Sequence, residues 1–484
     1  MPVSEVGYVI STKGFLVQLD GLPTARINDI IEDESGVRGL IHTLYEDRVE
    51  ALILDDAQVV PGQLFRRSEK RLALEVGQFL LGRAINPLGV PVDGHGPLES
   101  DQVDRELLEL DRQASGISSR QFITDQLVTG FTLIDTLIPL GKGQRELIIG
   151  DAHSGKTAFL TDLVINQKNS EVVCIYALIG KPLIQVRNLI DILDTNDALD
   201  HTVVISAASS DPAPMIFLAP QTAFTVAEFF QKKGKDVLVI LDDLGNHAKV
   251  YREIALLGGK APGRESYPGD IFYQHAHLIE RAGNFKRDLG GGSITALPVI
   301  ELNLNDFTTF IPTNLMAMTD GHLLFKANLH NQGQTPAVDI GLSVSRVGRQ
   351  TQNRVQNLLS QRIRQVLAQA AELETVSRFS SELPYETQLL LRQKSLIEEI
   401  IKQQSFTSIP LQIQAIMLAL PFTSFLREQS VDFVHQNKPL LIRAFQSDPQ
   451  LIPLAESALT LQSDEELIAT LEKVTPKLKQ VCST

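Results

Sequence analysis

Residues 150–157, GDAHSGKT, match the pattern G-x-x-x-x-G-K-[ST] at every fixed position: Gly150, Gly155, Lys156 and Thr157. The chemistry of such a loop is phosphate capture. Its glycines let backbone N–H groups close around phosphate oxygens, the lysine reaches the outer phosphates, and the threonine hydroxyl ligates magnesium. The candidate nucleotide-binding residues here are Gly150, Asp151, Ala152, His153, Ser154, Gly155, Lys156 and Thr157. Ala152 and His153 stand where longer polar or cationic side chains would also fit, and His153 enters only as part of the loop. A second magnesium element is expected at the end of a hydrophobic strand. VLVILDD (237–243) supplies it, and Asp242, which directly ends the apolar run, is preferred over Asp243 for the ion or its bound water. Hydrolysis needs one group more, a base that orients the attacking water. The run CIYALIG (174–180) leads instead to Lys181, which cannot act as that base while protonated.

Other reactive types are sparse. Arg346 is the only cation of SVSR (343–346), after the strand-like run AVDIGL, and an arginine at a strand end of this kind can reach a γ-phosphate held by a neighbouring subunit. By itself such an arginine is more often a surface or interface ion pair. The pair His275 and His277 lacks a third ligand, and residues two apart diverge on a helix, so a metal site is not expected there. There is no nucleophile elbow and no Cys/His cluster.

The elements that must position these groups follow from periodicity. Residues 1–70 read as short strands separated by turns, with VGYVIS, FLVQLDG and EALILDD among them, and a small barrel is the economical fold. From 71 to 350, apolar runs alternate with helix-length segments: ELIIG (146–150), VVCIYALIG (172–180), TVVISA (202–207) and VLVILDD. That alternation predicts a parallel α/β domain, with ELIIG and KTAFLTDLVINQ as the strand and helix flanking the phosphate loop. Residues 351–484 are almost purely helical in pattern, as in VQNLLSQRIRQVLAQAAELE and YETQLLLRQKSLIEEIIKQQ. The fold class is therefore multidomain: N-terminal β-barrel (1–70), central α/β P-loop nucleotide-binding domain (71–350), C-terminal α-helical bundle (351–484).

Composition narrows the partners. A net charge of −14 argues against a nucleic-acid backbone binder, and 43% hydrophobic content supports packed cores over the 484 residues. Two cysteines, Cys174 and Cys482, form no disulfide framework and suit a reducing compartment. The start MPVSEVGYVI lacks the pattern of a signal peptide, and no apolar run is long enough for a transmembrane helix, so any membrane link is expected to pass through a partner.

Together the motifs resemble the alpha subunits of F-type ATP synthases along nearly the whole chain. They are LGRAINPLGVPVDGHGP (81–97), LIPLGKGQRELIIGD (137–151), GKT, LDDL (241–244), PGRESYPGDIFYQHAHLIERAG (262–283), IPTN (311–314), TDG (319–321) and IGLSVSRVG (340–348). The resemblance implies a RecA-like central domain and a subunit that binds magnesium with ATP or ADP without turning it over. It also implies an alternating hexamer with beta subunits around a gamma stalk, a delta or peripheral stalk, and an ion-translocating membrane sector. That complex makes ATP from a proton gradient, or runs in reverse, at the cytoplasmic face of a bacterial inner membrane. Arg346 then matches the arginine lent to the adjacent beta site, Ser343 a position needed for activity, and Gln403 the adenine end of the nucleotide pocket. Three departures mark a divergent or second-copy member: an N-terminus without the stalk-docking segment, Ala152 and His153 in place of an Arg-Gln pair, and Thr335 where an arginine is common. Two alternatives remain: an independent hexameric P-loop motor of secretion or helicase type, which Lys181 opposes, and a nucleotide-sensing or assembly protein outside any rotary complex, which Arg346 and Ser343 oppose.

Overall fold

The computed structural model describes residues 5–98, 104–302, 306–377, 384–427 and 429–482. It resolves into two compact units, the first built from the chain up to Phe122, Lys142–Ala152 and Gln167–His322, the second from Ile123–Gly141, His153–Asn166 and the chain from Leu323 onward.

The first unit begins with a closed barrel of six strands, in the order Val6–Lys13, Leu16–Asp20, Val49–Ile53, Arg38–Leu44, Asp29–Asp33 and Leu64–Arg71. Closure removes the free edges that short strands would otherwise expose. Val9, Val17, Leu19, Ile31, Ile41, Val49, Ala51 and Phe65 point inward and fill it. Gly21, at φ 96°, lets the barrel close: a Cβ there would come within 2.7 Å of the Val6 carbonyl oxygen.

The same unit carries a parallel sheet whose strands run Glu146–Asp151, Ser293–Leu302, Asp236–Asp242, Val173–Lys181, Thr202–Ala208 and Ala84–Ile85. Its central strands are buried along almost their whole length, as both faces of a parallel sheet require. Helix Ala213–Lys232 lays Phe224 and Phe229 onto this sheet, and helices Leu183–Thr195 and Leu244–Leu257 complete its cover. The register pairs Leu178 with Asp242, which brings the end of one strand, Lys181, beside the end of the next.

In the second unit, helix Lys156–Asn166 packs through Phe159 against Phe131 and Phe325, with ring centroids 5.1 and 5.3 Å apart. Thereafter the chain is helical: Arg354–Ser377, Tyr385–Ile401, Leu411–Ala419, Val431–Ser447, Asp464–Lys473 and Thr475–Cys482 among others. Ser430 and Ser463 cap two of these helices by accepting from Phe433 N and Glu466 N, and Asp464–Glu466 add acidic charge to a first turn. Barrel, nucleotide-type α/β domain and helical domain are thus all present, as the sequence pattern implies.

Candidate functional site

Strand Glu146–Asp151 delivers the phosphate loop and helix Lys156–Asn166 leaves it, the arrangement that aims helix N–H groups at an anion. The backbone enters the left-handed region at His153 (φ 57°) and again at Gly155 (φ 86°). Glycine does so freely and histidine rarely. Lys156 and Ser154 are buried, the ammonium 3.4 Å from the serine hydroxyl, while Thr157 is exposed in the first helical turn. A Cβ placed on Gly155 would lie 3.2 Å from His330 Nδ1, so the His330 ring borders the loop. Nothing in the sequence singled out His330.

The strand end carrying Lys181 is constructed around one ion pair. Lys181 Nζ lies 2.7 Å from Asp242 Oδ1 and 3.6 Å from Asp243 Oδ2, with side-chain exposures of 16%, 4% and 9%. Tyr176 donates its hydroxyl to Asp242 Oδ2 at 3.3 Å. Asp243 Oδ1 caps the following helix by accepting from Asn246 N at 2.7 Å, and Asn246 Nδ2 reaches back to the carbonyls of Ile179 and Gly180. Burial alone would lower the Lys181 pKa, but the carboxylates of Asp242 and Asp243 outweigh it and the ammonium is held protonated. Burial raises the Asp242 carboxyl and Lys181 draws it back. As a magnesium element this set fits poorly. Asp242, expected to face the ion, has one oxygen on an ammonium and the other on a phenol, and a hard dication competes badly with a cation already in place.

Gln403 is buried and fully engaged. Its Oε1 accepts from Thr132 N (3.2 Å) and Thr132 Oγ1 (3.4 Å), and its Nε2 donates to the carbonyls of Gly130 and Thr407. Its backbone N–H donates to Thr335 O at 2.8 Å. The neighbouring turn is fixed by Asp135, a wholly buried carboxylate that accepts from Thr129 N, Thr129 Oγ1, Gly130 N and Gln414 Nε2. Gln403 therefore braces this turn, and contact with a base would require it to release one of these partners.

Ser343 is buried, its Oγ accepting from Leu324 N at 3.0 Å, which anchors the SVSR segment. Arg346 follows the short strand Val344–Ser345 and is exposed. Leu342 and Val344 beside it are 49% and 47% exposed, an apolar border suited to a partner surface. In the other unit, the GRES turn holds Phe310 N through Glu265 Oε1 at 3.0 Å. His275 is buried against His247 (Nε2 to Nδ1, 3.2 Å), and His277 pairs with Asp111. Among the described residues no helix is long and apolar enough to cross a membrane.

Residues 130–345 match the family model described as ATP synthase alpha/beta family, nucleotide-binding domain, and residues 352–477 match ATP synthase alpha/beta chain, C terminal domain. The chain is 38% identical over 466 residues to ATP synthase subunit alpha of Mycoplasma pneumoniae (strain ATCC 29342 / M129 / Subtype 1), covering 96% of this chain and 89% of that protein. It is likewise 38% identical over 470 residues to ATP synthase subunit alpha of Metamycoplasma arthritidis (strain 158L3-1), covering 96% of this chain and 88% of that one.

Proposed function

Since the chain belongs to the alpha subunits of F-type ATP synthases, we propose that it is the non-catalytic nucleotide-binding subunit of its complex and completes a reaction centre on a beta neighbour. The observation that carries this reading is the Lys181–Asp242 ion pair. A protonated, salt-bridged lysine cannot polarise water, and loss of a general base costs about 10²–10⁴ in rate. The loop Gly150–Thr157 takes the phosphates of ATP or ADP, with Lys156 on the outer ones and the Thr157 hydroxyl as the magnesium ligand that remains. Exposed Arg346, set on an anchored segment with an apolar border, is suited to reach a beta-bound γ-phosphate, and Ser343 fixes its approach. The partners in this reading are beta subunits in an alternating hexamer, a gamma shaft, a delta or peripheral stalk and an ion-translocating sector. Membrane association then comes through the complex.

The decisive experiment is reconstitution with a beta partner. The isolated chain should bind nucleotide with negligible ATPase activity, and Arg346→Ala should lower hydrolysis by the complex about 10³-fold or more while sparing that binding. An unchanged rate refutes the arginine's role. Brisk turnover by the chain alone would favour a self-contained motor instead.

A further inference from the structure

The ammonium of Lys181 is placed with unusual care. The left-handed turn at Gly180 (φ 64°) precedes it, and Asn246 clamps the carbonyls of Ile179 and Gly180. Asn246 is itself fixed by Asp243, the second carboxylate of the cluster. A Cβ on Gly180 would come within 3.2 Å of the Asn246 Cβ, so the clamp fits closely over a glycine. Lysine side chains ordinarily extend into water. This one is folded into a nearly closed site against two carboxylates at 2.7 and 3.6 Å.

The consequence is electrostatic. Where the P-loop pattern provides an aspartate to order magnesium, this chain provides an aspartate already neutralised. Magnesium demands oxygen ligands in near-ideal octahedral geometry, and it sheds its own waters reluctantly. A carboxylate oxygen committed to Lys181 attracts those waters weakly, and the ammonium repels the dication. Meanwhile the cluster already holds a positive charge that does not dissociate.

We infer that Lys181 is a resident counter-ion that takes magnesium's place at Asp242, so that this site holds ATP or ADP with little dependence on the metal. The inference rests on the nucleotide-binding reading above and specifies the form of ligand taken: the uncomplexed nucleotide as readily as its magnesium complex. Lys181 acts here through Asp242, as a positioning and specificity residue.

The test is equilibrium binding of a fluorescent ATP analogue, mant-ATP, to the purified 484-residue chain, in excess magnesium and in EDTA. The expected dissociation constants differ by less than about tenfold, whereas loss of a well-built metal site's outer support alone is worth about 10–100-fold. Lys181→Gln frees Asp242 for the metal, so the ratio of EDTA to magnesium constants should widen by about 10–100-fold. Lys181→Arg keeps the charge and should keep a narrow ratio. Should the glutamine variant fold poorly, the original chain's ratio and a manganese titration of its nucleotide complex decide the matter. Tight, stoichiometric manganese uptake would overturn the inference. So would a fall in the original chain's affinity by about tenfold or more on chelation, or an equally narrow ratio in Lys181→Gln. Each of these three results leaves nucleotide binding in magnesium intact. Absence of binding in both buffers would overturn that broader reading as well.

Discussion

Replacing Asp242 with asparagine would leave Lys181 buried beside a single carboxylate, and the cost can be worked from the geometry. At the 2.7 Å separation from Asp242, an effective dielectric near 20 gives about 6 kcal/mol of attraction. The 3.6 Å contact with Asp243 gives about 5 kcal/mol on the same footing and survives the substitution. Desolvation of Asp242, which the wild type bears, is relieved in the variant and offsets part of the loss. Breaking a buried pair by removing one partner costs about 3–5 kcal/mol. With Asp243 still present and Tyr176 still able to donate to the new amide oxygen, the lower end, about 3 kcal/mol, is expected. The assay is urea unfolding followed by far-UV circular dichroism, carried through the double-mutant cycle of Asp242→Asn with Lys181→Gln. A coupling of about 2 kcal/mol or more is expected, within the range for residues in direct contact. A coupling below about 0.5 kcal/mol would mean that the two groups do not stabilise one another, and the view of Lys181 as locked onto Asp242 would fail.

Further outcomes follow from other contacts. Ser343→Ala strips the acceptor from the buried Leu324 N–H and should cost about 1–3 kcal/mol in unfolding free energy, together with activity of the reconstituted complex. Ser343→Thr, which retains an oxygen, should recover part of both. Burial lowers the pKa of His247 to about 4 and holds that of His275 well below its ordinary value, the latter aided by His247 itself. The unfolded chain thus takes up protons below about pH 6.5 that these rings refuse, so stability complete above that value is lost as pH falls toward 4. Unfolding midpoints measured from about pH 7 to about pH 5 should decline, and His275→Leu should flatten the decline. Burial pushes Asp135 the other way, up to about 6, against the pull of its four donors. Asp135→Asn turns an amide toward the Gly130 N–H, which the carboxylate now satisfies, and should destabilise by about 1–3 kcal/mol in thermal unfolding.

What the sequence revealed and what it withheld have distinct physical causes. Strands such as Val173–Lys181 and Asp236–Asp242 were legible because burial on both faces demands unbroken apolar runs. The phosphate loop was legible because backbone capture of phosphate leaves few choices at its glycines and lysine. Barrel strands Asp29–Asp33 and Arg38–Leu44 carry half-polar patterns, since one face meets solvent, and periodicity did not separate them from turns. At the site, Lys181 stood out by type alone. Its hold on Asp242 depends on a register between strands more than fifty residues apart in sequence, which no local pattern encodes. Asn246, Tyr176 and His330 were missed for the same reason: each acts through a neighbour supplied by the tertiary fold.

The turn at Thr129–Thr132 has one more implication, for the moment of synthesis. Its buried supports, Gln403 and Gln414, arrive 273 and 279 residues after the groups they hold. Closing so long a connection is slow, and until it closes the Asp135 carboxylate lacks one donor. Once strand Ser293–Leu302 has been made, roughly a hundred residues must still be added before that turn gains its buried glutamine supports. Nascent chains of this protein should therefore spend their longest exposed interval in the second unit, where holding chaperones would find their apolar targets.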